Sequence, residues 1–229
     1  MKESNSFLVP IAIIIAGSLI AWGLMSDKPK GEDINNENPV TQERELAPVT
    51  DEDHFIGDPN AELVIISYSD LECPYCKNFN ATMERIMDEY GKDGKVALVF
   101  RHFPIDQLHS KARLEAIATE CAAELGGNAK FWEYLNIVFE RTPSNNGFDL
   151  AELPNIAEEI ELDKEAFVAC LDNEEMANRI KAQQETGINA GVQGTPQSFI
   201  VEKDGTQTNI NGGQPYETVK LMIDTILNK

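Results

Sequence analysis

Apolar residues occur along the chain in runs and periods typical of strands and helices. Residues 63–68 and 96–100 are short apolar runs rich in β-branched side chains, which predict two buried strands. Between these runs, apolar side chains recur on one face of a predicted helix, which starts at Pro74 and stops at Gly91: Phe79, Met83, Ile86 and Tyr90. A strand, a helix and a strand with short connections predict a βαβ unit with a parallel strand pair.

The pattern is then helical almost throughout residues 110–191. The segments with helical periodicity are 112–125, 130–139, 163–171 and 174–188. Strands return afterwards at 197–201 and 206–210, on either side of a turn, and residues 216–227 predict a final amphipathic helix. The predicted order is β-α-β, a helical block and β-β-α.

The N-terminus breaks this pattern with an uncharged, mostly apolar run over residues 7–25. As a helix this run would span roughly 28 Å, close to the thickness of the hydrocarbon core of a bilayer. Signal peptides usually have a shorter apolar region of about 7–15 residues. We therefore predict that residues 1–25 are a signal anchor with a transmembrane helix, with cleavage near Ala21 and Gly23 as the alternative.

Residues 26–53 contain many acidic residues, several Asn and three prolines, and few apolar side chains. This composition predicts a disordered acidic linker. The folded domain is predicted to extend over residues 54–229.

The full chain has 39 acidic against 19 basic residues, a net charge of −20. Nucleic acid is therefore excluded as a partner, because phosphate binding needs clustered Lys and Arg. We interpret the acidity as a solvated surface, with a specific basic partner as the alternative.

Cys73 and Cys76 form a C-x-x-C motif at the junction between a predicted strand and a helix. The free N–H groups and the positive dipole at a helix N-terminus lower the pKa of a thiol placed there. We expect Cys73 to be the exposed, attacking thiol and Cys76 to be the buried, resolving one. Pro74 suits the first helical turn, where its missing N–H is no loss.

Two other interpretations of the motif are weaker. A zinc site would need a second Cys or His pair at metal-ligand spacing, and the sequence has none. A purely structural disulfide would close a short, strained loop at this position. We therefore expect no metal and no cofactor.

Residues 70–77, Asp-Leu-Glu-Cys-Pro-Tyr-Cys-Lys, resemble the active site of the DsbA-like branch of the thioredoxin superfamily. The resemblance extends to residues 57–61, to Phe131–Trp132 and to the loop 191–196, and it covers nearly all of residues 54–229. It implies an α/β, thioredoxin-like fold (β-α-β / β-β-α) with an inserted helical subdomain at about residues 104–190, preceded here by the transmembrane helix.

The resemblance also implies a substrate-binding surface around the cysteines. It assigns Pro196 a cis peptide bond that faces the C-x-x-C motif, with an ordinary trans turn as the alternative. Thr195, Pro74 and Tyr75 would contact the substrate chain, which can pair there as an added strand.

Two positions depart from the family pattern. Ser67 stands where relatives often carry a buried acid that assists proton transfer, and Tyr75 stands where the strongest oxidants carry His. We therefore expect a less extreme reduction potential. Asp70 and Glu72 could replace the missing acid, but we predict that they are a solvated pair beside the site.

Cys121 and Cys170 lie in separate predicted helices, and their residue pattern fits either buried free thiols or a disulfide. Relatives with a cysteine in each of these helices favour the structural disulfide. It would contribute on the order of 4 kcal/mol in the chain-entropy model. A disulfide fits an oxidising compartment and so a domain outside the cytoplasm. For His54, His102 and His109 we expect packing or hydrogen bonding rather than catalysis.

Together these features predict a single-pass cell-membrane protein with an extracytoplasmic thiol–disulfide oxidoreductase domain, acting as an oxidase. Its expected partners are unfolded or reduced secreted proteins, a membrane reoxidant and the membrane itself. A reductase or isomerase is the first alternative, because the sequence does not fix the reduction potential. A non-catalytic peptide-binding holdase is the alternative from another class.

Overall fold

The structure of the protein is a computed structural model that describes residues 45–229. The predicted signal anchor and most of the predicted linker lie outside the described residues. Within residues 45–229, no helix combines the length and the apolar character needed to cross a membrane.

A five-stranded sheet forms the centre of the domain, in the order β1-β3-β2-β4-β5. The strands are β1 (His54–Ile56), β2 (Leu63–Ser69), β3 (Val96–His102), β4 (Gln197–Glu202) and β5 (Gln207–Asn211). Strands β2 and β3 are parallel, and the other neighbouring pairs are antiparallel. Ile65 on β2 lies opposite both Leu98 and Ile200. The two parallel strands are buried along nearly their whole length, because both faces of the sheet are covered.

Six α-helices surround the sheet. They are α1 (Pro74–Ile86), α2 (Ala112–Arg141), α3 (Leu153–Glu159), α4 (Lys164–Leu171), α5 (Glu174–Asn189) and α6 (Tyr216–Leu227). A π-helical turn (Met87–Gly91) extends α1, and a 3-10 turn (Leu150–Glu152) precedes α3. Helices α2 to α5 lie between β3 and β4 in the chain, so the thioredoxin-like α/β fold carries the predicted helical insertion.

Helix α2 joins two segments that the sequence predicts as separate helices. Gly127 marks the break between them, since its backbone has φ 78° and ψ −175°. This conformation is open to glycine because it has no Cβ. On the second half of α2, Phe131, Trp132 and Phe139 are buried against Phe100 of β3. These three aromatic side chains belong to the hydrophobic core.

Strand β1 was not predicted from the sequence and forms one edge of the sheet. The side chain of Asn128 binds the outer side of this edge. Its Oδ1 accepts a hydrogen bond from the N–H of Phe55 at 3.2 Å, and its Nδ2 donates to the carbonyl of Phe55 at 2.8 Å. A side-chain amide thus takes the position that a neighbouring strand would occupy.

Residues 45–53 pack on the domain, so the structure differs from the predicted linker at its C-terminal end. The guanidinium of Arg101 donates to the carbonyls of Ala47 and Pro48 and to the carboxylate of Asp53. The N–H of Glu45 donates to the carbonyl of Asn189 at the end of α5. We call residues 45–53 the N-terminal strap.

A disulfide joins Cys121 of α2 to Cys170 of α4, with an S–S distance of 2.04 Å. The cysteines are 49 residues apart in the chain, so the bond closes a long loop. It ties together two helices of the insertion, where the resemblance places it.

A buried polar cluster lies beside this disulfide, where β1, β3, α2 and α5 meet. Glu120 lies 3.0 Å from His54 and 3.2 Å from Arg179, while Thr119 lies 2.8 Å from His102. Burial lowers the pKa of His102 to about 4. Both histidines therefore have hydrogen-bonding roles, as expected from the sequence.

Candidate active site

The C-x-x-C motif lies where the central strand β2 passes into α1. A turn follows Ser69, and Cys73 is the N-cap residue of a helix whose first residue is Pro74. Tyr75 is the most exposed residue of the motif, at 68%. Cys73 is only 5% exposed, which is less than the sequence predicts.

The pKa of the Cys73 thiol is lowered to about 6. The largest cause is a hydrogen bond from the thiol of Cys76. Burial opposes this effect, while the backbone N–H groups of Cys76 and Tyr75 and a contact with Thr195 add to it. These N–H groups belong to the first turn of α1, where no intrahelical carbonyl accepts from them. Cys73 is therefore a thiolate at neutral pH.

Cys76 has the opposite character. It is buried in the first turn of α1, and burial, followed by the hydrogen bond and the negative charge of Cys73, raises its pKa well above the ordinary value. The N–H of Asp70 lies 3.5 Å from the Cys76 sulfur. The structure thus holds a reduced pair in which one sulfur is charged and the other keeps its proton.

The loop before β4 meets this pair. The Thr195–Pro196 peptide bond is cis, and the Cys73 sulfur lies 3.5 Å from the carbonyl oxygen of Thr195. From the far side, Gly213 approaches so closely that a Cβ there would lie 3.1 Å from the carbonyl oxygen of Tyr75. Thr195, Pro196, Tyr75 and Cys73 are thus brought together, as the resemblance implies.

No acid lies at the position of Ser67. The hydroxyl of Ser198 on β4 donates to the hydroxyl of Ser67 on β2 at 2.9 Å, and both residues are buried. A hydroxyl pair does not titrate near neutral pH, so this position cannot accept the proton of Cys76.

The prediction that Asp70 and Glu72 are solvated is wrong, since both are buried. The carboxylate of Asp70 accepts hydrogen bonds from the N–H of Glu72 at 2.9 Å and of Ile105 at 2.8 Å, and lies 2.9 Å from His109. It thereby ties the turn before Cys73 to the start of the helical insertion. His109 has a hydrogen-bonding role here, as expected.

Glu72 is held by a loop that follows α2. Its carboxylate accepts from the N–H of Asn146 at 2.6 Å and of Phe148 at 3.2 Å, and its backbone carbonyl accepts from the N–H of Asn145 at 2.8 Å. These donors lie more than 70 residues away along the chain. No local pattern in the sequence predicts these donors; the only signal is that an acidic residue lies next to the motif.

Glu115, on the first turn of α2, was not predicted as part of the site. It is fully buried, and neither of its carboxyl oxygens has a hydrogen-bond partner among the described residues. Burial, then the neighbouring carboxylates of Glu72 and Asp70, raise its pKa to about 9, against a small opposing effect of Lys111. Glu115 is therefore a neutral acid at pH 7.

Metal binding finds no support in residues 45–229, where no three His, Cys, Asp or Glu side chains are grouped as ligands. The arrangement that the structure does provide is a thiolate, a protonated thiol and a peptide-binding loop. Its chemistry is thiol–disulfide exchange.

Solved structures with the same architecture include two DsbA proteins. DsbA2 of Pseudomonas aeruginosa matches with a TM-score of 0.65 and 28% identity, over 78% of this chain and 97% of that one. The α-DsbA1 of Wolbachia pipientis matches with a TM-score of 0.67 and 26% identity, over 79% and 92%. Oxidised BdbD of Bacillus subtilis, at 22% identity and a TM-score of 0.67 over 77% and 94%, shares the fold.

The curated relatives carry a different name. A protein of Salinispora tropica called Na(+)/H(+) antiporter NhaA 3 is 31% identical over 150 residues, which are 66% of this chain. A protein of Herminiimonas arsenicoxydans called Na(+)/H(+) antiporter NhaA is 31% identical over 148 residues. In both cases the match covers 22% of the relative. The transport activity in these names thus belongs to proteins of which the chain matches about a fifth.

A family model described as thioredoxin (Thioredoxin_4) matches residues 49–225 of the chain. This range includes the strands, the helical insertion, both cysteine pairs and the cis-proline loop. The chain belongs to this thioredoxin family and is a DsbA-like member of the thioredoxin superfamily of thiol–disulfide oxidoreductases.

Proposed function

We propose that this protein is a membrane-anchored, extracytoplasmic oxidase that introduces disulfide bonds into secreted proteins. The observation that carries the proposal is the position of the Cys73 sulfur. It lies at the N-terminus of α1 with a pKa of about 6, and 3.5 Å from the carbonyl of Thr195 in the cis-proline loop.

In the forward reaction, a substrate thiolate attacks the Cys73 sulfur of the oxidised enzyme. The Cys73–Cys76 bond breaks, and Cys76 leaves and takes up a proton. The second thiolate of the substrate then attacks the substrate sulfur of the mixed disulfide, and Cys73 leaves as a thiolate. The substrate is oxidised by two electrons and the enzyme is reduced by two.

The low pKa of Cys73 favours this direction. A thiol that is ionised at neutral pH is a good leaving group, and its stabilised thiolate favours the reduced enzyme. An enzyme whose reduced form is stabilised is an oxidant. Tyr75, with a phenol in place of an imidazole, supports a potential less extreme than that of the strongest oxidants.

The extracytoplasmic location is supported by the disulfide between Cys121 and Cys170, because such bonds persist in oxidising compartments. The apolar run over residues 7–25 supports the anchor. The partners we propose are reduced or unfolded secreted proteins and a membrane reoxidant that restores the Cys73–Cys76 bond.

The activity is tested by oxidation of a reduced, unfolded substrate protein with the Cys73→Ser variant. We expect loss of catalysis, because serine cannot form the mixed disulfide. The matched control is Cys121→Ala/Cys170→Ala, which removes two sulfurs outside the motif and should keep the catalysed rate. Full retention of dithiol oxidation by Cys73→Ser would rule out the mechanism.

The direction is tested by equilibrating the motif with glutathione and trapping the thiols. A reduction potential as low as that of a reductase would show that the protein is a reductase and not an oxidase. Catalysed rearrangement of non-native disulfides in a substrate protein would favour an isomerase. The holdase alternative predicts that Cys73→Ser/Cys76→Ser and the native protein bind unfolded peptides with equal affinity, and that the native protein catalyses no dithiol oxidation.

A further inference from the structure

The loop after α2 has an unusual backbone. Ser144, Asn145 and Asn146 are three consecutive residues with positive φ, at 66°, 54° and 65°. L-residues other than glycine rarely adopt this conformation, and a run of three persists only where the surroundings enforce it. Here the loop contacts Glu72, which directly precedes the redox motif.

The loop encloses the side chain of Glu72. The N–H groups of Asn145, Asn146 and Phe148 all point at this residue, one at its carbonyl and two at its carboxylate. Successive backbone N–H groups that converge in this way form a concave anion site. We call residues 144–148 the Glu72 nest. In this protein the anion is a side chain, and it belongs to the residue directly before Cys73.

The nest is fixed on its outer side. The side chain of Asn146 donates to the carbonyl of Leu108 at 2.9 Å and accepts from the N–H of Lys111 at 3.3 Å. The ammonium group of Lys111 donates to the carbonyl of Phe148. The nest is therefore held between the motif and the first turn of α2.

The other flank of the motif is tied to the same segment. Lys77 donates to the carbonyls of Thr142 at 2.7 Å and Glu140 at 3.0 Å, which are free at the C-terminus of α2. Glu72 and Lys77 thus bracket the motif, and both attach it to the region between residues 140 and 148. The position of Cys73 relative to the cis-proline loop depends on these attachments.

Glu115 explains how Glu72 can carry a charge in this buried place. Two adjacent buried carboxylates repel each other, so one of the two must hold a proton. Glu72 has N–H donors and Glu115 has none among the described residues, and the pKa of Glu115 is raised to about 9, so Glu115 holds the proton.

We propose that Glu72 is a positioning residue for thiol–disulfide exchange. Its carboxylate, bound in the nest, fixes the turn that holds the Cys73 sulfur at the N-terminus of α1 and opposite Pro196. This inference rests on the proposed function, because it assigns Glu72 a part in the same reaction. Without the charge in the nest, the turn loosens and the thiolate loses its N–H donors.

The test compares Glu72→Gln with the native protein. Gln has nearly the same shape as Glu. Its NH2 group, however, is a donor and faces a backbone N–H group from which the carboxylate accepts a hydrogen bond in the native protein. We expect the pKa of Cys73 to rise from about 6 to about 7, which lowers the rate of alkylation at about pH 6 by ~fivefold. The catalysed oxidation rate near that pH should fall by a similar factor, with a smaller fall in alkaline solution.

The matched control is Glu120→Gln, which alters an equally buried carboxylate in the histidine cluster beside the disulfide. It should destabilise the fold and leave the Cys73 titration unchanged. If both variants shift the titration equally, or if neither does, Glu72 has only a structural role and the proposal fails.

A second variant keeps the test decisive if Glu72→Gln does not fold. Glu72→Asp keeps the charge but is too short to reach both N–H donors, so we expect a smaller rise in the pKa of Cys73; an unchanged titration overturns the proposal. Loss of catalysis in Cys73→Ser together with native behaviour of the Glu72 variants rejects this inference alone. Retained catalysis in Cys73→Ser rejects the proposed function itself.

Discussion

Arg101 and Asp53 form a buried ion pair with two hydrogen bonds, at 2.8 Å from Nε and 2.9 Å from Nη2. The other N–H groups of Arg101 donate to the hydroxyl of Tyr68 and to the carbonyls of Ala47 and Pro48. All five donors of the guanidinium are thus satisfied, four of them by the N-terminal strap. Because the buried guanidinium of Arg101 needs the strap for its counter-ion and hydrogen bonds, the strap is part of the folded domain.

We therefore expect a shortened chain that begins at residue 54 to be less stable than one that begins at residue 45. The free energy of unfolding should fall by ~3 kcal/mol or more, because Arg101 would lose its anion and four hydrogen bonds. Urea unfolding of the two chains measures the difference.

Asp53→Asn should lower the stability of the longer chain in the same direction. Asp88→Asn is the control, because its pair with Lys92 is exposed and should contribute less than ~1 kcal/mol. Equal stability of the two shortened chains would show that the strap is dispensable.

The thiol of Cys76 is expected to control the reactivity of Cys73. Its hydrogen bond is the largest cause of the low pKa of Cys73, so Cys76→Ala should raise that pKa above about 6. Cys76→Ser keeps an O–H donor and should raise it less. Alkylation rates measured against pH would give both titrations, and identical curves for the two variants would contradict the assignment.

The same pKa makes the stability of the reduced protein depend on pH. Folding lowers the pKa of Cys73 from about 9.0 to about 6, so between these values the unfolded chain binds more protons than the native one. Relative to the oxidised form, the stability of the reduced form should therefore rise as pH increases from 6 towards 9, and this contribution is lost as pH falls through 6. The oxidised form lacks this dependence, and denaturation of both forms at several pH values tests it.

Glu115 should give stability the opposite dependence on pH. Its pKa rises to about 9 on folding, so the native state binds a proton that the unfolded chain releases above about pH 4.5. Stability should fall as pH rises between these values, by up to ~1.4 kcal/mol per pH unit. The titratable or charged groups that act on Glu115, or on which it acts, are Glu72, Asp70, Lys111 and Tyr134.

Glu115→Gln is neutral at every pH and should remove this slope. The measurement is the free energy of unfolding of the oxidised protein from pH 5 to 9, in which the thiols of the motif do not titrate. A slope that persists unchanged in Glu115→Gln would place the proton elsewhere.

The disulfide between Cys121 and Cys170 should contribute stability without affecting the redox motif. Because it closes a loop over 49 residues, its loss in Cys121→Ala/Cys170→Ala should cost on the order of 4 kcal/mol in the chain-entropy model. Guanidinium unfolding measures the loss, and alkylation of reduced Cys73 should be unchanged. An altered Cys73 titration would show that loss of this disulfide changes the geometry of the redox motif.

The sequence predicts the fold well where the signal is local. Four of the five strands, the helices other than α3 and the C-x-x-C junction follow from apolar periodicity, Pro74 and the turn residues. Strand β1 lacks such a signal, because it has three residues and depends on pairing with β3. The two halves of α2 are separated by the non-helical backbone of Gly127, between the two helical segments that the sequence predicts.

The polar residues of the site are where local reasoning fails. Asp70 and Glu72 look like a solvated pair, since charged residues are rarely buried without partners. Their partners come from residues 105–109 and 146–148, which only the fold brings to the motif. For the same reason Glu115 and the N-terminal strap could not be recognised from the sequence.

The side-chain amide of Asn128 affects how the edge strand β1 can meet other polypeptide chains. Asn128 satisfies the outward-facing N–H and C=O groups of Phe55. These groups are therefore not available to pair with a strand of another chain at this edge of the sheet. An extended polypeptide that meets the domain here finds a side chain already in place. We therefore expect the Asn128 side chain to hinder the addition of a strand at this edge and so to reduce aggregation of the domain.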